Sequence, residues 1–447
     1  MKGVLHNQQL RLTSTTGTVL LVVFLSLFPL PITRLQPLAA PAVREAPLVS
    51  TTTPEGRLAV FDDVWETINS RYYDRNFHGL DWDAQRQIFR AQAMKSQSGA
   101  ELYAVVRNMI GLLSDPHTRV FAPEEKFDWW RPRLLTIGFA VGEVDGLPTV
   151  VRVERDSAAD RAGLQAGDVI ETVDGKDARV IIRDRLATLP QPANVSARFR
   201  VFAKLLDGPA ERPTCITWKT KSGKRKSAQL SRYWVQRELG MRVRRERSDY
   251  AVIEIDAFTR TIANTFKRAA AEQLKGARGV ILDLRRNGGG DAEAMSDVAA
   301  TFLGLGVDLG QFTNRAGFSF DLFTQARSLL TVSQNGETSL PLVVLISSRT
   351  ASAAEIFVEA LRSSKRATIL GTETCGCVLA VRARHDLPDG GALDVSELDY
   401  ETAQGRRIEG HGVQPDQTVL VERQDLYAGR DRALAVALDR LDAARHR

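Results

Sequence analysis

Two places in the sequence combine a chemically useful residue with a context that would expose it. Ser352 sits in Ser347-Ser348-Arg349-Thr350-Ala351-Ser352-Ala353-Ala354-Glu355-Ile356-Phe357, between the apolar run Leu342–Ile346 and a helical pattern from about Ala354 to Arg362. A serine at a strand-to-helix junction presents its hydroxyl at a sheet edge, close to helix N–H groups that favour negative charge. Alone, such a serine is more often only a helix cap. A second junction shifts the balance. Asp283-Leu284-Arg285-Arg286-Asn287-Gly288-Gly289-Gly290 also follows a buried-strand run and opens a helix. Its glycines free the backbone to aim N–H groups at an oxyanion. A phosphate cradle is the competing use, but the spaced glycines and Lys-Ser/Thr of a P-loop are missing.

The surrounding elements follow from pattern. Positions from about Leu58 to Leu113 recur at helical spacing (Val60, Val64, Trp65, Ile68, Tyr72, then Leu102, Val105, Val106, Met109), until Ser114-Asp115-Pro116 breaks the helix. From about 133 to 230 short β-branched runs, Thr149–Val153 and Val169–Val173, are punctuated by Asp145-Gly146 and Asp174-Gly175 turns. From about 250 strands and helices alternate, which predicts an α/β core with helices packed on a sheet. The expected partition is 1–40 signal peptide or anchor, 41–56 linker, 57–132 helical N-terminal domain, 133–232 β-rich module and 233–447 α/β core.

Composition narrows the classes. Hydrophobic residues make up 43% and charged residues 26% of the 447-residue chain, as in a globular protein with a sizeable core. The net charge of +6 is scattered, and the one dense basic run, Lys219–Lys226, has a Ser-Gly centre that reads as an exposed hairpin turn, so no nucleic-acid partner is expected. Lys2 and Arg11, the apolar run Val19–Phe28, and Leu38-Ala39-Ala40 describe a secretory signal, with a single N-terminal anchor as the competitor. Either places the body outside the cytoplasm, periplasmic or extracellular. Cys215, Cys375 and Cys377 are too few for a disulfide framework, and one intervening residue between Cys375 and Cys377 is poor geometry for an unstrained bridge. Cys377 is expected to be a small packing residue. No Cys/His group has zinc-ligand spacing, and neither a metal nor a cofactor is expected.

Two resemblances carry the reading further. Thr136-Ile137-Gly138-Phe139-Ala140-Val141 and the later Ala162-Gly163-Leu164-Gln165-Ala166-Gly167-Asp168-Val169-Ile170 resemble a PDZ domain. In that fold the Gly-Phe loop offers N–H groups to a peptide's C-terminal carboxylate, and the peptide adds as a strand. The resemblance implies peptide binding at Ile137, Gly138, Phe139 and Ala140. Together with Asp115-Pro116-His117-Thr118-Arg119, the Asn287–Gly290 loop, Thr350–Glu355 and Glu409-Gly410-His411-Gly412-Val413-Gln414-Pro415-Asp416, in that order, the chain is similar to the carboxy-terminal-processing and tricorn-like serine peptidases of family S41. That implies an α/β crotonase-like peptidase core, with a helical N-terminal region and an inserted β-rich PDZ domain. It also implies Ser352 as nucleophile and an oxyanion hole from the N–H of Ala353 and of Gly288 or Gly289.

The processing branch pairs its serine with a lysine, followed by a glutamine. Here those positions hold Cys377 and Val381, and no lysine follows Lys365. The tricorn-like branch uses a histidine and a glutamate, present as His117 and Glu409. A serine needs a base titrating near neutrality, and the imidazole needs a carboxylate to fix its tautomer, so a Ser352–His117–Glu409 triad is expected. Against it stand a surface role for His117, pairing of Glu409 with Arg406 or Arg407, and His411 as a rival base. His78 and His385 are expected at the surface, and Glu355 is expected to cap its helix. The implied activity is cleavage of exported polypeptides near their C-termini. The alternatives are a peptide-binding protein without turnover, motivated by the lost lysine, and an acyl-CoA enzyme on the shared core.

Overall fold

The computed structural model describes residues 48–447 apart from 126–127, 129–130, 190–194, 211, 248, 326–337 and 445–447. The expected signal segment and most of the linker lie outside the described residues.

Four nearly continuous apolar runs, flanked by two more polar edge strands, build the six-stranded central sheet. Its strands, in spatial order, are Met241–Glu246, Tyr250–Ile255, Gly279–Asp283, Leu342–Ile346, Thr368–Gly371 and Gln417–Thr418. The first pair is antiparallel and the rest are parallel. Parallel strands are covered on both faces and so read as nearly continuous apolar runs. Ile253, Leu282, Val344 and Ile369 point to one face, where they meet Phe266, Phe302, Phe357 and Leu361 of the helices Arg260–Gln273, Ala292–Leu303 and Ala353–Ser363. Their neighbours Val252, Ile281, Val343, Leu345 and Leu370 point the other way, onto Leu438 and Leu441 of the helix Arg432–Ala444. The strictly two-residue alternation fixes register, because a one-residue slip would exchange the two cores.

The helical pattern before residue 113 resolves into Pro54–Arg71, Trp82–Lys95 and Gly99–Gly111. Each begins at a side-chain cap: Thr53 on the Gly56 N–H, Asp81 on Ala84 and Ser98 on Glu101. Their common core (Phe61, Val64, Tyr103, Val106, Met109) includes Leu387, Leu393 and Val395 from far along the chain. The reason is a short strand, Arg119–Phe121, that pairs antiparallel with Ala392–Asp394. It anchors the segment just after His117 to a five-stranded antiparallel sheet in which Ala392–Glu401 also pairs with Asp308–Asn314 and Ala380–Asp386.

Between these parts lies an antiparallel sheet ordered Phe139–Val144, Leu147–Val153, Val169–Val173, Thr214–Lys219 and Arg225–Leu230. Asp145-Gly146 and Asp174-Gly175 have positive φ at both residues (54° and 72°, 49° and 78°), the requirement of a tight type I′ hairpin turn. The basic run does form a hairpin loop, with the Thr220 N–H on the Lys224 carbonyl. A two-stranded ribbon, Arg133–Thr136 with Tyr233–Gln236, brings the two ends of this region together. Among the described residues no helix is long and apolar enough to cross a membrane.

Candidate active site

The two loops singled out in the sequence lace into one another. Thr350 donates through Oγ1 to the Leu284 carbonyl (2.8 Å), Ser347 through Oγ to the Arg285 carbonyl (2.7 Å), and the Ala351 N–H to the Asn287 carbonyl (3.1 Å). Parallel pairing of Gly279–Asp283 with Leu342–Ile346 delivers both loops to the same sheet edge, beyond the strands' carboxyl ends.

Ser352 sits at the turn into the helix Ala353–Ser363 with φ 57° and ψ −130°. Positive φ is costly for a residue with a side chain, and its occurrence at this junction matches the strained serine turn used for nucleophiles. Packing holds the conformation. The Ser352 N–H is shared between the Cys377 carbonyl (2.8 Å) and Glu355 Oε2 (3.0 Å). Gly289, at φ 98°, packs so closely that a Cβ there would fall 2.6 Å from the Ser352 Cβ and 2.8 Å from the Ala351 carbonyl oxygen. This glycine is therefore required both by its backbone and by its neighbour. It is not a free donor, since its N–H is held by Asn287 Oδ1 at 2.8 Å. That corrects the expectation of Gly289 as an oxyanion donor and leaves the N–H groups of Gly288 and Ala353, which have no hydrogen-bond partner among the described residues.

Glu355 does more than cap. Its side chain is fully buried and accepts four hydrogen bonds: Oε1 from Thr374 Oγ1 (2.5 Å) and the Gly376 N–H (2.7 Å), Oε2 from the N–H groups of Cys377 (2.9 Å) and Ser352. Burial pushes its carboxyl up to about 7, against the pull of these donors. Thr374 in turn accepts the Val413 N–H (2.7 Å), and the Gly410 N–H donates to the Gly376 carbonyl (2.8 Å). The Ser352 turn, the 374–377 loop and the 409–413 loop thus form one network centred on Glu355.

Cys375 and Cys377 are joined by a disulfide, with Cα atoms 5.2 Å apart. This overturns the expectation that one intervening residue keeps them apart. The intervening Gly376 adopts φ 66°, which most side chains avoid, and so lets the chain turn back on itself. Cys377 is buried at the position where a lysine was sought. Glu355 and these two cysteines are near enough to share an ion. The sulfurs are bonded to each other, however, and the carboxylate is filled by four donors.

His117 follows Asp115, whose carboxylate accepts the N–H of His117 (2.8 Å) and both the N–H and Oγ1–H of Thr118 (3.2 and 2.6 Å). Thr118 Oγ1 accepts the Ser396 N–H (3.1 Å) and so ties the turn to the strand Ala392–Glu401. The His117 ring is not a free surface group. Nδ1 is buried without a hydrogen-bond partner among the described residues. Burial holds the imidazole down at about 4, helped by Arg119 and Arg200 and opposed by Asp115. Glu409 is paired with neither Arg406, which binds Glu359, nor Arg407, which binds Asp399. Its Oε2 accepts the N–H groups of Val378 (2.6 Å) and Leu379 (3.2 Å), and burial, with Asp115 nearby, pushes its carboxyl up to about 8. No hydrogen bond joins the ring to Ser352 or Glu409 in this state. The rival His411 is exposed, its Nδ1 on the Glu409 carbonyl oxygen at 2.9 Å. His78 lies at the surface beside Tyr73, whereas His385 is half-buried on Asp63 (3.0 Å).

Sequence reading missed Arg200. It reaches in from the helix Val195–Ala203, with Nη1 2.6 Å from Ser196 Oγ and 3.9 Å from both cysteine sulfurs, and it feels the charges of Glu409 and Asp115. Nothing local marks this arginine, because the contact is made across about 175 residues of sequence. The same helix packs along Phe139–Val144, an edge strand of its sheet, and Arg198 clamps Glu143 there through two 2.5 Å bonds. Of the four expected peptide-binding residues, Ile137 and Phe139 bury their side chains in the module's core, and Ala140 is half-buried. Gly138 donates its N–H to Thr136 Oγ1 and accepts the Glu154 N–H, so it is not an open carboxylate donor.

Comparison with known proteins agrees with this architecture. Residues 249–419 match the model of peptidase family S41, 54–111 the tricorn protease C1 domain and 149–185 a PDZ domain. A carboxyl-terminal-processing protease of Synechocystis sp. is 28% identical over 397 residues, covering 84% of this chain and 85% of the relative. The chloroplastic carboxyl-terminal-processing peptidase 1 of Arabidopsis thaliana is 29% identical over 374 residues, covering 80% and 71%. Among solved structures, mature CPAF shares the fold with a TM-score of 0.65 at 13% identity over 86% of this chain and 96% of its own. The photosystem II D1 C-terminal processing protease does so with 0.53 at 24% identity over 82% and 94%. With the Ser352 turn, the glycine loop and the flanking modules all in this order, residues 249–419 are a peptidase family S41 core, and the chain is a serine-type peptidase carrying a PDZ domain.

Proposed function

We propose that this peptidase is exported and cuts polypeptides near their C-termini, with Ser352 as nucleophile, His117 as base and Glu409 as the imidazole's partner. The observation that carries the reading is the left-handed Ser352 turn at the head of a buried helix, beside the unpaired N–H groups of Ala353 and Gly288. Ser352 Oγ attacks the scissile carbonyl and its proton passes to the imidazole. The resulting oxyanion takes the Ala353 and Gly288 N–H groups, and collapse returns the proton to the leaving amine. Water then hydrolyses the acyl-enzyme by the same route. A neutral imidazole can accept the proton, but its low basicity beside Arg200 means that it must approach Ser352 and Glu409 once substrate binds. Hydrogen bonds of this kind commonly tighten only in the complex. Substrate would extend along the edge strand Phe139–Val144, and the name of the Synechocystis relative supports C-terminal processing.

With this reading go the crotonase-like description of the core, the partition at 57–132, 133–232 and 233–447, and an N-terminal signal or anchor. The experiment is cleavage of an unfolded protein with product termini mapped by mass spectrometry, alongside labelling by a fluorophosphonate. Ser352→Ala abolishes both, and His117→Ala lowers both by orders of magnitude. Wild-type cleavage by Ser352→Ala rejects the mechanism. A peptide binder without turnover is the second reading, favoured by the unpartnered His117 Nδ1. Stoichiometric labelling that depends on His117 eliminates it.

A further inference from the structure

The Cys375–Cys377 disulfide is covalently separate from the catalytic chemistry yet lies inside its scaffold. The Cys375 N–H donates to the Thr350 carbonyl (2.9 Å), the Cys377 carbonyl accepts the Ser352 N–H, and the Gly376 and Cys377 N–H groups fill two of the four positions on Glu355. The bond therefore closes the loop that holds the nucleophile's backbone. Its two sulfurs are not equivalent. Cys375 is half-buried, whereas Cys377 is 3% exposed. Ser196 Oγ approaches Cys375 Sγ at 3.1 Å, and the Arg200 guanidinium lies 3.9 Å from each sulfur. Arg200 also lines a cavity of about 330 Å³ with Arg185, Val201 and Lys204, which gives the sulfurs' cationic neighbour an opening toward solvent.

We propose that Cys375–Cys377 is a thiol-exchange site, reduced by a dithiol, and that its redox state sets the competence of Ser352. This rests on the reading of Ser352 as nucleophile. A thiolate of the dithiol attacks Cys375 Sγ, the S–S bond breaks, and its electron pair leaves on Cys377 Sγ as a thiolate facing Arg200. The second thiol of the reductant, as its thiolate, attacks the mixed disulfide and expels Cys375 Sγ. The reductant departs as a disulfide, and the two protons it gave up neutralise the new thiolates. A cation beside the leaving sulfur lowers its pKa and so speeds the first displacement. Once the cysteines can separate, the Gly376 and Cys377 N–H groups are no longer held on Glu355, and the Ser352 turn loses its 2.8 Å tether. A displacement of about 1 Å at a reacting group costs on the order of a hundredfold in rate.

The test uses the whole protein under native conditions. Thiols are counted before and after a small dithiol, and the rate of fluorophosphonate labelling and amide hydrogen exchange over 374–379 are followed in both states. Because Cys215 is free, the count should rise from one to three. Labelling should slow at least tenfold, exchange at Gly376 and Cys377 should quicken, and reoxidation should restore both. In C375S/C377S, with native far-UV dichroism, the labelling rate should no longer respond to reductant. If two thiols appear with labelling and exchange unchanged, or if the double variant responds as the wild type does, the proposal is overturned. Failure of excess dithiol to release two thiols from the folded protein also overturns it. If Ser352 is labelled in neither state, the nucleophile assignment falls. The exchange data then decide the redox site by themselves: faster exchange on reduction supports it, and unchanged exchange rejects it.

Discussion

Replacing Glu355 by Gln would remove two acceptors from the centre of the site while changing its volume hardly at all. The carboxylate accepts two donors on each oxygen. A glutamine has one oxygen and one NH₂: with the NH₂ at the Oε2 position two N–H donors face another donor, and with it at the Oε1 position the Gly376 N–H does, since the Thr374 hydroxyl can turn and accept. A hydrogen bond to a charged acceptor contributes about 1.5–3 kcal/mol, and the desolvation cost of the buried charge offsets part of the loss. A net destabilisation of about 2–4 kcal/mol is expected, a large share of a stability of about 5–15 kcal/mol. Glu355→Ala orphans all four donors and opens a cavity, so it should cost more. Urea unfolding at pH 8 measures both. The labelling rate of Ser352 should fall at least tenfold in the Gln variant, because one of the two acceptors on its N–H is lost or turned. If Glu355→Gln unfolds within about 0.5 kcal/mol of wild type, the four-donor account of this loop is wrong.

Gly289→Ala should lower the melting temperature and slow labelling by tens of fold, since a Cβ at φ 98° meets Ser352 and the Ala351 carbonyl. Gly288→Ala, with nothing within 4 Å of the added carbon, should leave the melting temperature nearly unchanged. Stability should fall as pH rises from about 6.5 to 8. There the native state keeps protons on Glu409 (up at about 8) and, to about pH 7, on Glu355 that the unfolded chain has released. Each retained proton contributes about 1.4 kcal/mol per pH unit. His117, held at about 4, acts with the opposite sign only below about pH 6.5, where the unfolded chain takes up a proton that the native state refuses. Urea midpoints from pH 5 to 9 check this, and Glu409→Gln should flatten the slope between pH 7 and 8. An unchanged slope would show that Glu409 is not the retained proton. Phe357→Ala, at the centre of the larger core, should cost about 3–5 kcal/mol in the same assay.

Local chemistry made much of the molecule legible from sequence. The runs at Gly279–Asp283 and Leu342–Ile346 could be read as buried strands because parallel strands must be apolar on both faces. Asp145-Gly146 and Asp174-Gly175 could be read as turns because a tight hairpin demands positive φ. The spacing of Ser352 and Glu355 announced a cap, but not that the carboxylate would be sealed in and loaded from two other loops. Pattern reading also extended one helical region across breaks at Phe77–Gly79 and Ser96, because periodicity is blind to a short turn between helices of the same face.

The sequence by itself determined the order of the family motifs, the strand-to-helix junction at Ser352 and the absence of a lysine after Lys365. These depend on residue type and near neighbours. Only the tertiary structure decided that Cys375 and Cys377 are bonded, that Gly289 gives its N–H to Asn287, and that Arg200 lies against the disulfide and acts electrostatically on His117. It also decided that His117 and Glu409 are each enclosed and electrostatically displaced rather than joined to Ser352. Those outcomes depend on which loops the parallel sheet brings to one edge and on the water that packing excludes from between them. Neither the approach of segments from far along the chain nor the loss of solvent is written in the spacing of any motif.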